Sequence, residues 1–304
     1  MNKWWQNLEK GGIFWLRLSF LLVRLLPDFI VKFFAIFISF FYFIFAANAR
    51  RSIYKFYKIL WEFQGKSRIP MIKKVFYCYL NFYEFAVCLA DKIAVWCGKF
   101  DFSRLRIEDE QWLLNTLKNQ EKGKILLSYH FGNSEIARSF EHKLGKSKIY
   151  ILMYGKNSQN FINFMNKISK EKINIIFVEE LGIEQVLELE KIINSGSHIA
   201  MMSDRVSINA SKNESISFLG KECLFPSGAF DLARILNTQV LSTLCLRKRN
   251  FYSLVIKELK SDEKDKRSLA KDQQKKYIKI LEEYVIKEPK LWFNFYDFWS
   301  YDNA

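Results

Sequence analysis

Residues 124–135, KILLSYHFGNSE, decide the fold: a short apolar run ends in polar residues, and about ten residues with a helical pattern follow. The same order recurs further along the chain, where short apolar runs alternate with helical stretches. The later runs are KIYILMY (148–154), INIIFV (173–178) and HIAMMSD (198–204), with helical patterns at 158–170 and 183–196. This alternation is typical of parallel strands covered by helices.

The rest of the C-terminal half continues the pattern. A helix is predicted in SGAFDLARILN (227–237), and two strands are predicted in QVLSTLCL (239–246) and FYSLVIKEL (251–259). An apolar stripe over residues 277–285 predicts a last helix, which ends before Pro289. We therefore predict an α/β fold with a mixed, mostly parallel sheet flanked by helices, preceded by a hydrophobic, membrane-attached helical region.

Residues 33–47, FFAIFISFFYFIFAA, contain no charge. The run is shorter than the ~20 residues of a usual membrane-crossing helix. Residues 30–32, whose lysine can reach the interface, bring it near the lower limit. Arg50 and Arg51 follow the run, and the positive-inside rule then places the rest of the chain on the cytoplasmic side.

The preceding segment, residues 13–31, is apolar but carries Arg17 and Arg24 on one helical face, as in a helix that lies in the interface. We predict a hydrophobic membrane anchor of interfacial helices over residues 1–50. A second domain follows over residues 51–304, with a helical lead-in to about residue 122 and the α/β core after it. The sequence leaves open a crossing helix, an interfacial helix and a buried hairpin of core helices.

The net charge is +15, and residues 1–100 carry most of it, with 15 Lys or Arg against 5 Asp or Glu. A basic segment rich in Trp and Phe favours an anionic membrane surface over nucleic acid, and no zinc-finger, basic-zipper or RNP-type motif is present.

The five cysteines form no C-x-x-C pair and the three histidines are far apart, so we expect neither a disulfide framework nor a metal site. Nothing in the sequence indicates an oligomeric state.

Two polar residues end predicted strands, His130 in the first run and Asp204 in a later one. In open α/β sheets, ligands gather at the carboxyl ends of the strands. His130 also precedes Glu135 by five residues. A histidine with a near-neutral pKa can take the proton of a hydroxyl as that oxygen attacks a carbonyl, and a carboxylate on its other ring nitrogen fixes the tautomer. The pair can therefore be a general base and its partner, or a helix-capping histidine and an ordinary first-turn carboxylate.

Further motifs accompany HFGNSE in a fixed order. They are SDR (203–205), FLG (218–220), FPSG (225–228) and WFNFYDFW (292–299). In this combination the chain resembles the lipid A biosynthesis acyltransferase family, also called lauroyl/myristoyl acyltransferases, over nearly its whole length. The forms HFGNSEIAR and SDRV look closest to a subgroup associated with aryl-polyene pigment synthesis.

The resemblance implies a fold and an activity. It implies an enzyme at the cytoplasmic face of the inner membrane that moves an acyl chain from an acyl carrier protein thioester to a hydroxyl of a lipid acceptor, with no further cofactor. His130 and Glu135 would be the catalytic pair of the family's H-x4-[DE] motif, and Asp204 its aspartate after the later strand. Arg205 stands where such enzymes often have Gln, and lysines occupy a stretch that tends to carry arginines. These lysines are Lys156, Lys167, Lys170 and Lys172.

The other candidate substrate-binding residues each have two interpretations. Arg138 binds a phosphate or carboxylate, or pairs with the acidic residue three positions before it. Arg205 binds an acceptor phosphate or balances Asp204. Ser227 and Gly228 offer backbone N–H groups to an anion at a helix N-terminus, or Ser227 is a plain N-cap. The WFNFYDFW segment is expected to serve core and interface packing.

Alternative functions remain at this point. The same transfer chemistry could act on a glycerolipid or on an aryl-polyene lipid. A non-catalytic membrane scaffold could keep the fold without the activity. A thioester hydrolase would use water in place of the acceptor hydroxyl.

Overall fold

The computed structural model of the 304-residue chain describes residues 13–66, 69–153, 174–177, 182–206 and 212–299. Within these ranges, seven strands form one sheet in the order β1-β9-β8-β2-β5-β3-β4, and all neighbours are parallel except β8 and β9. The strands are β1 (Leu105–Ile107), β2 (Ile125–Ser128), β3 (Ile149–Met153), β4 (Asn174–Phe177), β5 (His198–Met202), β8 (Val240–Arg247) and β9 (Tyr252–Glu258). The predicted mixed, mostly parallel sheet is confirmed.

The described helices lie before the sheet and between its strands. They are α1 (Ile13–Leu25), α2 (Asp28–Phe45), α3 (Ala47–Phe63), α4 (Met71–Trp96), α5 (Glu110–Leu117), α6 (Ser134–Arg138), α7 (Ile183–Asn194), α8 (Gly228–Ile235) and α9 (Lys266–Lys287). The helical pattern at 158–170 lies outside the described residues. The central strands are buried on both faces, since Ile125 and Leu127 of β2 and Leu241 of β8 are fully buried. Such strands read as continuous apolar runs, which made them visible in the sequence.

Two hydrophobic cores pack against the two sides of this sheet. The larger one includes the buried face of α3, for example Tyr57 and Leu60, together with Trp292 and Trp299 from the C-terminal segment. The smaller one includes Leu113 of α5 and other residues near β1. Because α3 begins at Ala47 and packs into the larger core, residue 50 falls inside a helix; the division at that residue stays a prediction.

Helix α2 covers 18 residues with a mean hydropathy of 2.0, yet only 11% of them are buried. By length and composition it can cross a membrane. Ala35 and Ser39 are its buried residues, and Ser39 Oγ lies 3.2 Å from Tyr79 Oη of α4. Large apolar side chains such as Phe37 and Phe45 stay exposed on the other faces. A buried core hairpin is therefore the wrong description of this helix.

Two elements differ from the sequence prediction. The last part of the predicted helical lead-in, residues 101–122, is not continuously helical: a 3₁₀ turn at Phe102–Arg104 leads into strand β1, and only α5 is α-helical. Before the helix predicted at 227–237, the structure has an antiparallel hairpin that was not predicted, formed by β6 (Asn213–Phe218) and β7 (Lys221–Pro226). Leu219 and Gly220, both with positive φ, form its two-residue turn.

Candidate active site

Strand register brings His130 and Asp204 to one edge of the sheet. β2 and β5 are parallel neighbours, and Ser128 is paired with Met202 at their carboxyl ends. His130 and Asp204 each lie two residues beyond that pair. Residues that leave parallel strands at the same level lie side by side, so the two side chains meet where ligands of such sheets usually bind.

Asp204 holds His130 through two hydrogen bonds. Its Oδ1 lies 2.7 Å from His130 Nδ1, and its Oδ2 accepts a 2.9 Å hydrogen bond from the His130 backbone N–H. Burial would raise the pKa of Asp204, but the bonds from His130 and the charge of Arg205 together hold this pKa below its ordinary value. An ionised carboxylate only accepts hydrogen bonds, so Nδ1 carries the proton and Nε2 is left as the basic nitrogen.

The His130 ring is accessible and tuned toward its neutral form. The Asp204 side chain is 2% exposed, whereas that of His130 is 28% exposed, so a substrate can reach the ring. Burial is the largest cause that lowers the pKa of His130, and Arg205 lowers it further, while Asp204 opposes both. A neutral imidazole with a free Nε2 can act as a general base.

Glu135 does not hold the His130 ring, in contrast to the prediction. Asn133 caps α6, because its side chain accepts hydrogen bonds from the backbone N–H groups of Glu135 and Ile136. The cap sets Glu135 in the first turn, where its carboxylate takes hydrogen bonds of 2.8 and 2.5 Å from Arg138. The expected His130–Glu135 bond is thus replaced by the His130–Asp204 bond. A catalytic part for Glu135 stays a prediction.

Arg138 forms an ion pair with Glu135, which is the second of the two roles predicted for it. It is buried, pairs with Glu135 and lies 3.4 Å from a carboxylate oxygen of Glu141. Buried charges are generally found paired in this way. This ion-pair role is what the structure shows, and substrate binding by Arg138 stays a prediction.

The loop after His130 is held by backbone hydrogen bonds on both sides. Gly132 N donates to Leu291 O at 2.9 Å, and Asn133 N donates to Cys245 O at 2.9 Å. Gly132 has a φ of +65°, and a Cβ at this position would lie 2.0 Å from Cys245 O. Only glycine fits such a left-handed position against another backbone.

The C-terminal aromatic segment reaches the site through its main chain. Phe293 N donates to His130 O at 2.8 Å, and Phe293 O accepts a 3.2 Å hydrogen bond from Arg205 Nη2. The Arg205 guanidinium also lies 5.7 Å from the ring centroid of Tyr296. Sequence reasoning assigned this segment to packing and missed its second role, because backbone hydrogen bonds leave no signal in side-chain identity.

Ser227 and Gly228 lie at the start of α8, as predicted. Ser227 is the N-cap residue, but its hydroxyl makes no capping bond and is instead 3.3 Å from Lys212 O. No hydrogen bond or ion pair joins either residue to His130 or Asp204 within the described ranges. Their anion-binding role stays a prediction.

Buried His198 accepts a bond from Lys124 N and donates to Leu117 O, so it is a structural residue. The four lysines at 156–172 lie outside the described residues. In the part of the chain that the structure describes, no three His, Cys, Asp or Glu side chains are grouped as metal ligands.

One known protein family matches almost the whole chain. The family model that matches is described as bacterial lipid A biosynthesis acyltransferase, and it covers residues 6–300. A comparison with curated proteins gives no match. The match spans the N-terminal helices, the His130–Asp204 edge of the sheet and the C-terminal aromatic segment. The chain therefore belongs to the bacterial lipid A biosynthesis acyltransferase family.

Proposed function

We propose that this chain is a membrane-bound O-acyltransferase that moves a fatty acyl group from an acyl carrier protein thioester to a hydroxyl of a lipid A precursor. Family membership supports acyl transfer in lipid A biosynthesis. The observation that carries the mechanism is the 2.7 Å contact between His130 Nδ1 and the ionised Asp204, which leaves Nε2 as a base on an accessible ring. Asp204 then has the role that the sequence assigned to Glu135.

The proposed reaction needs one base. The acceptor hydroxyl passes its proton to His130 Nε2 while its oxygen attacks the thioester carbonyl carbon. The Asp204 carboxylate stabilises the imidazolium that forms. The tetrahedral intermediate then breaks its carbon–sulfur bond, and the departing thiol sulfur takes the proton back from Nε2. No covalent enzyme intermediate is required, because the acceptor supplies the nucleophile.

Arg205 is proposed to help bind the acceptor head group. It lies directly after Asp204, and its positive charge adds to burial in lowering the pKa of His130. Its bond to Phe293 O fixes the guanidinium at the edge of the site. A guanidinium is suited to phosphate, which it can bind through two parallel hydrogen bonds.

Membrane attachment is proposed to occur through α1 and α2. Many large apolar side chains of α2 stay exposed, and exposed apolar surfaces of this kind mark lipid or protein contacts. Arg50 and Arg51 lie near the start of α3, five and six residues after the end of α2, which favours the cytoplasmic side for the sheet. With the sheet at the membrane surface, the acyl chain of the donor and the lipid chains of the acceptor would lie beside the His130–Asp204 site.

Labelled acyl carrier protein thioester and a total inner-membrane lipid extract, incubated with the detergent-purified protein, test the proposal. We expect wild type to form a labelled lipid, His130→Gln to form none, and the matched control His142→Gln to behave as wild type. Mass spectrometry of the lipid separates a lipid A precursor from a glycerolipid or an aryl-polyene lipid. Equal labelling by wild type and His130→Gln would remove the proposed base, and labelled free fatty acid without labelled lipid would favour the hydrolase.

A further inference from the structure

One face of α4 lies against the loop that carries His130. The Phe85 ring is 5.2 Å from the Phe293 ring, centroid to centroid, and Cys88 Sγ donates to Gly132 O at 3.3 Å. Helical residues at positions i, i+3 and i+7 share a face. Lys92 is therefore the next residue along the stripe of Phe85 and Cys88, one turn beyond the contact with Gly132.

Lys92 has no partner among the residues that the structure describes. The other charged residues in this half of α4 are engaged, since Glu84 pairs with Arg247 and Asp91 accepts a hydrogen bond from the Tyr252 hydroxyl. No hydrogen bond or ion pair joins Lys92 to another described group, and its side chain is only half-buried. A lysine ammonium in this setting has three donors available to a ligand.

The charges around His130 do not balance. Besides burial, which is the largest cause, the positive charges of Arg205 and Lys92 lower the pKa of His130, while the Asp204 carboxylate raises it. Arg205 already donates to Phe293 O and lies over Tyr296. An anion beside Lys92 would complete the balance, and phosphate is the anion that lysine commonly binds as a point charge.

We propose that Lys92 binds a phosphate group of a substrate beside the His130–Asp204 site. The choice of substrate rests on the proposed function, which offers two sources: the phosphodiester of the phosphopantetheine arm that carries the acyl group, and a phosphate ester of the lipid acceptor. Both present the same chemistry to an ammonium group. Lys92 thus takes part in substrate binding and not in the bond-making step.

Matched substrates test this role. The donors are acyl-4′-phosphopantetheine and acyl-pantetheine, which differ only in the phosphate, and the acceptors are the phosphorylated lipid and its phosphatase-treated form. The variants are Lys92→Gln, the charge-preserving Lys92→Arg, and the control Lys74→Gln. Lys74 is a half-buried lysine of the same helix, eighteen residues earlier and therefore about 27 Å away along its axis.

We expect Lys92→Gln to raise KM about tenfold for one phosphate-bearing substrate, which corresponds to about 1.4 kcal/mol, with kcat within about twofold of wild type. The same substrate without phosphate should show no change, and the substrate that responds identifies the source. Lys92→Arg should keep most of the affinity, and Lys74→Gln should keep all of it. An unchanged KM, a fall in kcat alone, or an equal effect of Lys74→Gln would overturn the proposal.

Equilibrium binding separates this proposal from the proposed function. The variants are titrated with 4′-phosphopantetheine, with pantetheine, and with the phosphorylated and dephosphorylated acceptor in micelles. If wild type transfers no acyl group, the proposed function fails, but a phosphate-dependent loss of affinity in Lys92→Gln still supports the phosphate site. Equal affinities of wild type and Lys92→Gln for every ligand would exclude it even in an active enzyme.

Discussion

At the scale of single residues, Asp204 fixes both the backbone and the ring of His130. Asp204→Asn removes the charge that stabilises the imidazolium and can present an N–H group where the site needs an acceptor. We expect kcat to fall by a factor on the order of 10²–10⁴, as for orienting carboxylates in hydrolytic triads. Glu135→Gln should lower kcat less than about tenfold, because Glu135 bonds Arg138 and not the histidine. Steady-state transfer rates of the two variants check this.

His142→Gln is the control for Asp204→Asn and Glu135→Gln. His142→Gln changes a histidine that bonds Ser139 O, away from the sheet edge, and should leave kcat unchanged. A larger loss in Glu135→Gln than in Asp204→Asn would return the orienting role to Glu135 and make the Asp204 contact structural.

The pH dependence of transfer follows from the environment of His130. Only the neutral ring can accept a proton, so kcat/KM should rise with pH as His130 loses its own proton. Burial and the charge of Arg205 lower the pKa of His130 from its ordinary 6.5, so the acid limb should have its midpoint below 6.5. Arg205→Gln removes a cation that disfavours the imidazolium, and the midpoint should move up. The pH profiles of kcat/KM for wild type and Arg205→Gln test this prediction. A wild-type midpoint above pH 6.5 would contradict it.

Sequence reasoning at this scale found the residues but not their pairing. His130 and Asp204 were recognised because each follows an apolar run. Their bond depends on the register of β2 against β5, which joins segments 74 positions apart and leaves no local signal. Glu135 was the nearer carboxylate in sequence, but the Asn133 cap turns it toward Arg138.

At the scale of elements, the turn from β2 into α6 requires glycine at 132. Gly132→Ala forces a side chain into a left-handed backbone position, which costs about 1–2 kcal/mol, and sets its Cβ 2.0 Å from Cys245 O. Because backbone must move, we expect a total loss above about 3 kcal/mol and a loss of transfer activity. Thermal unfolding in detergent, together with the transfer assay, measures both effects.

Gly65→Ala is the matched control for this turn. Gly65 has a φ of +72°, but nothing lies within 4 Å of its added Cβ. It should therefore show only the conformational cost of about 1–2 kcal/mol and keep its activity. Equal stabilities of the two variants would mean that the contact with β8 does not hold the loop.

Among the elements, buried strands were predictable and the connections to the site were not. Continuous apolar runs identified β2, β5 and β8 because strands covered on both faces have no polar side. The β6–β7 hairpin was missed because its turn, Leu219-Gly220, lacks the Asn-Gly or Asp-Gly pair that usually indicates one. The hydrogen bonds of Phe293 to His130 and Arg205 involve main-chain atoms and could not be inferred from an aromatic run.

At the scale of the whole molecule, the N-terminal helices and the site are linked through α3 and the C-terminal segment. Arg50 at the start of α3 donates to the carbonyls of Phe43 and Ile44 at the end of α2, and Lys55 pairs with Asp297 at 2.7 Å. Phe293 of the same segment then bonds His130 O. The surface proposed to face the membrane and the proposed base, His130, are thus joined by one continuous set of contacts, which would orient the site relative to the membrane plane.

The exposed face of α2 gives the last prediction. Phe37 and Phe41 are each 57% exposed, and an aspartate within the apolar region of a bilayer costs about 2.5–3.5 kcal/mol. The double variant Phe37→Asp, Phe41→Asp should bind phosphatidylglycerol-containing vesicles at least about 100-fold more weakly in flotation. Its transfer to acceptor in detergent micelles should stay near wild type, because neither side chain packs in the core. Ile183→Asp, at an 81% exposed site on α7, is the control and should float as wild type does. Undiminished flotation of the double variant would show that α2 does not enter the lipid and would assign its apolar face to a protein partner.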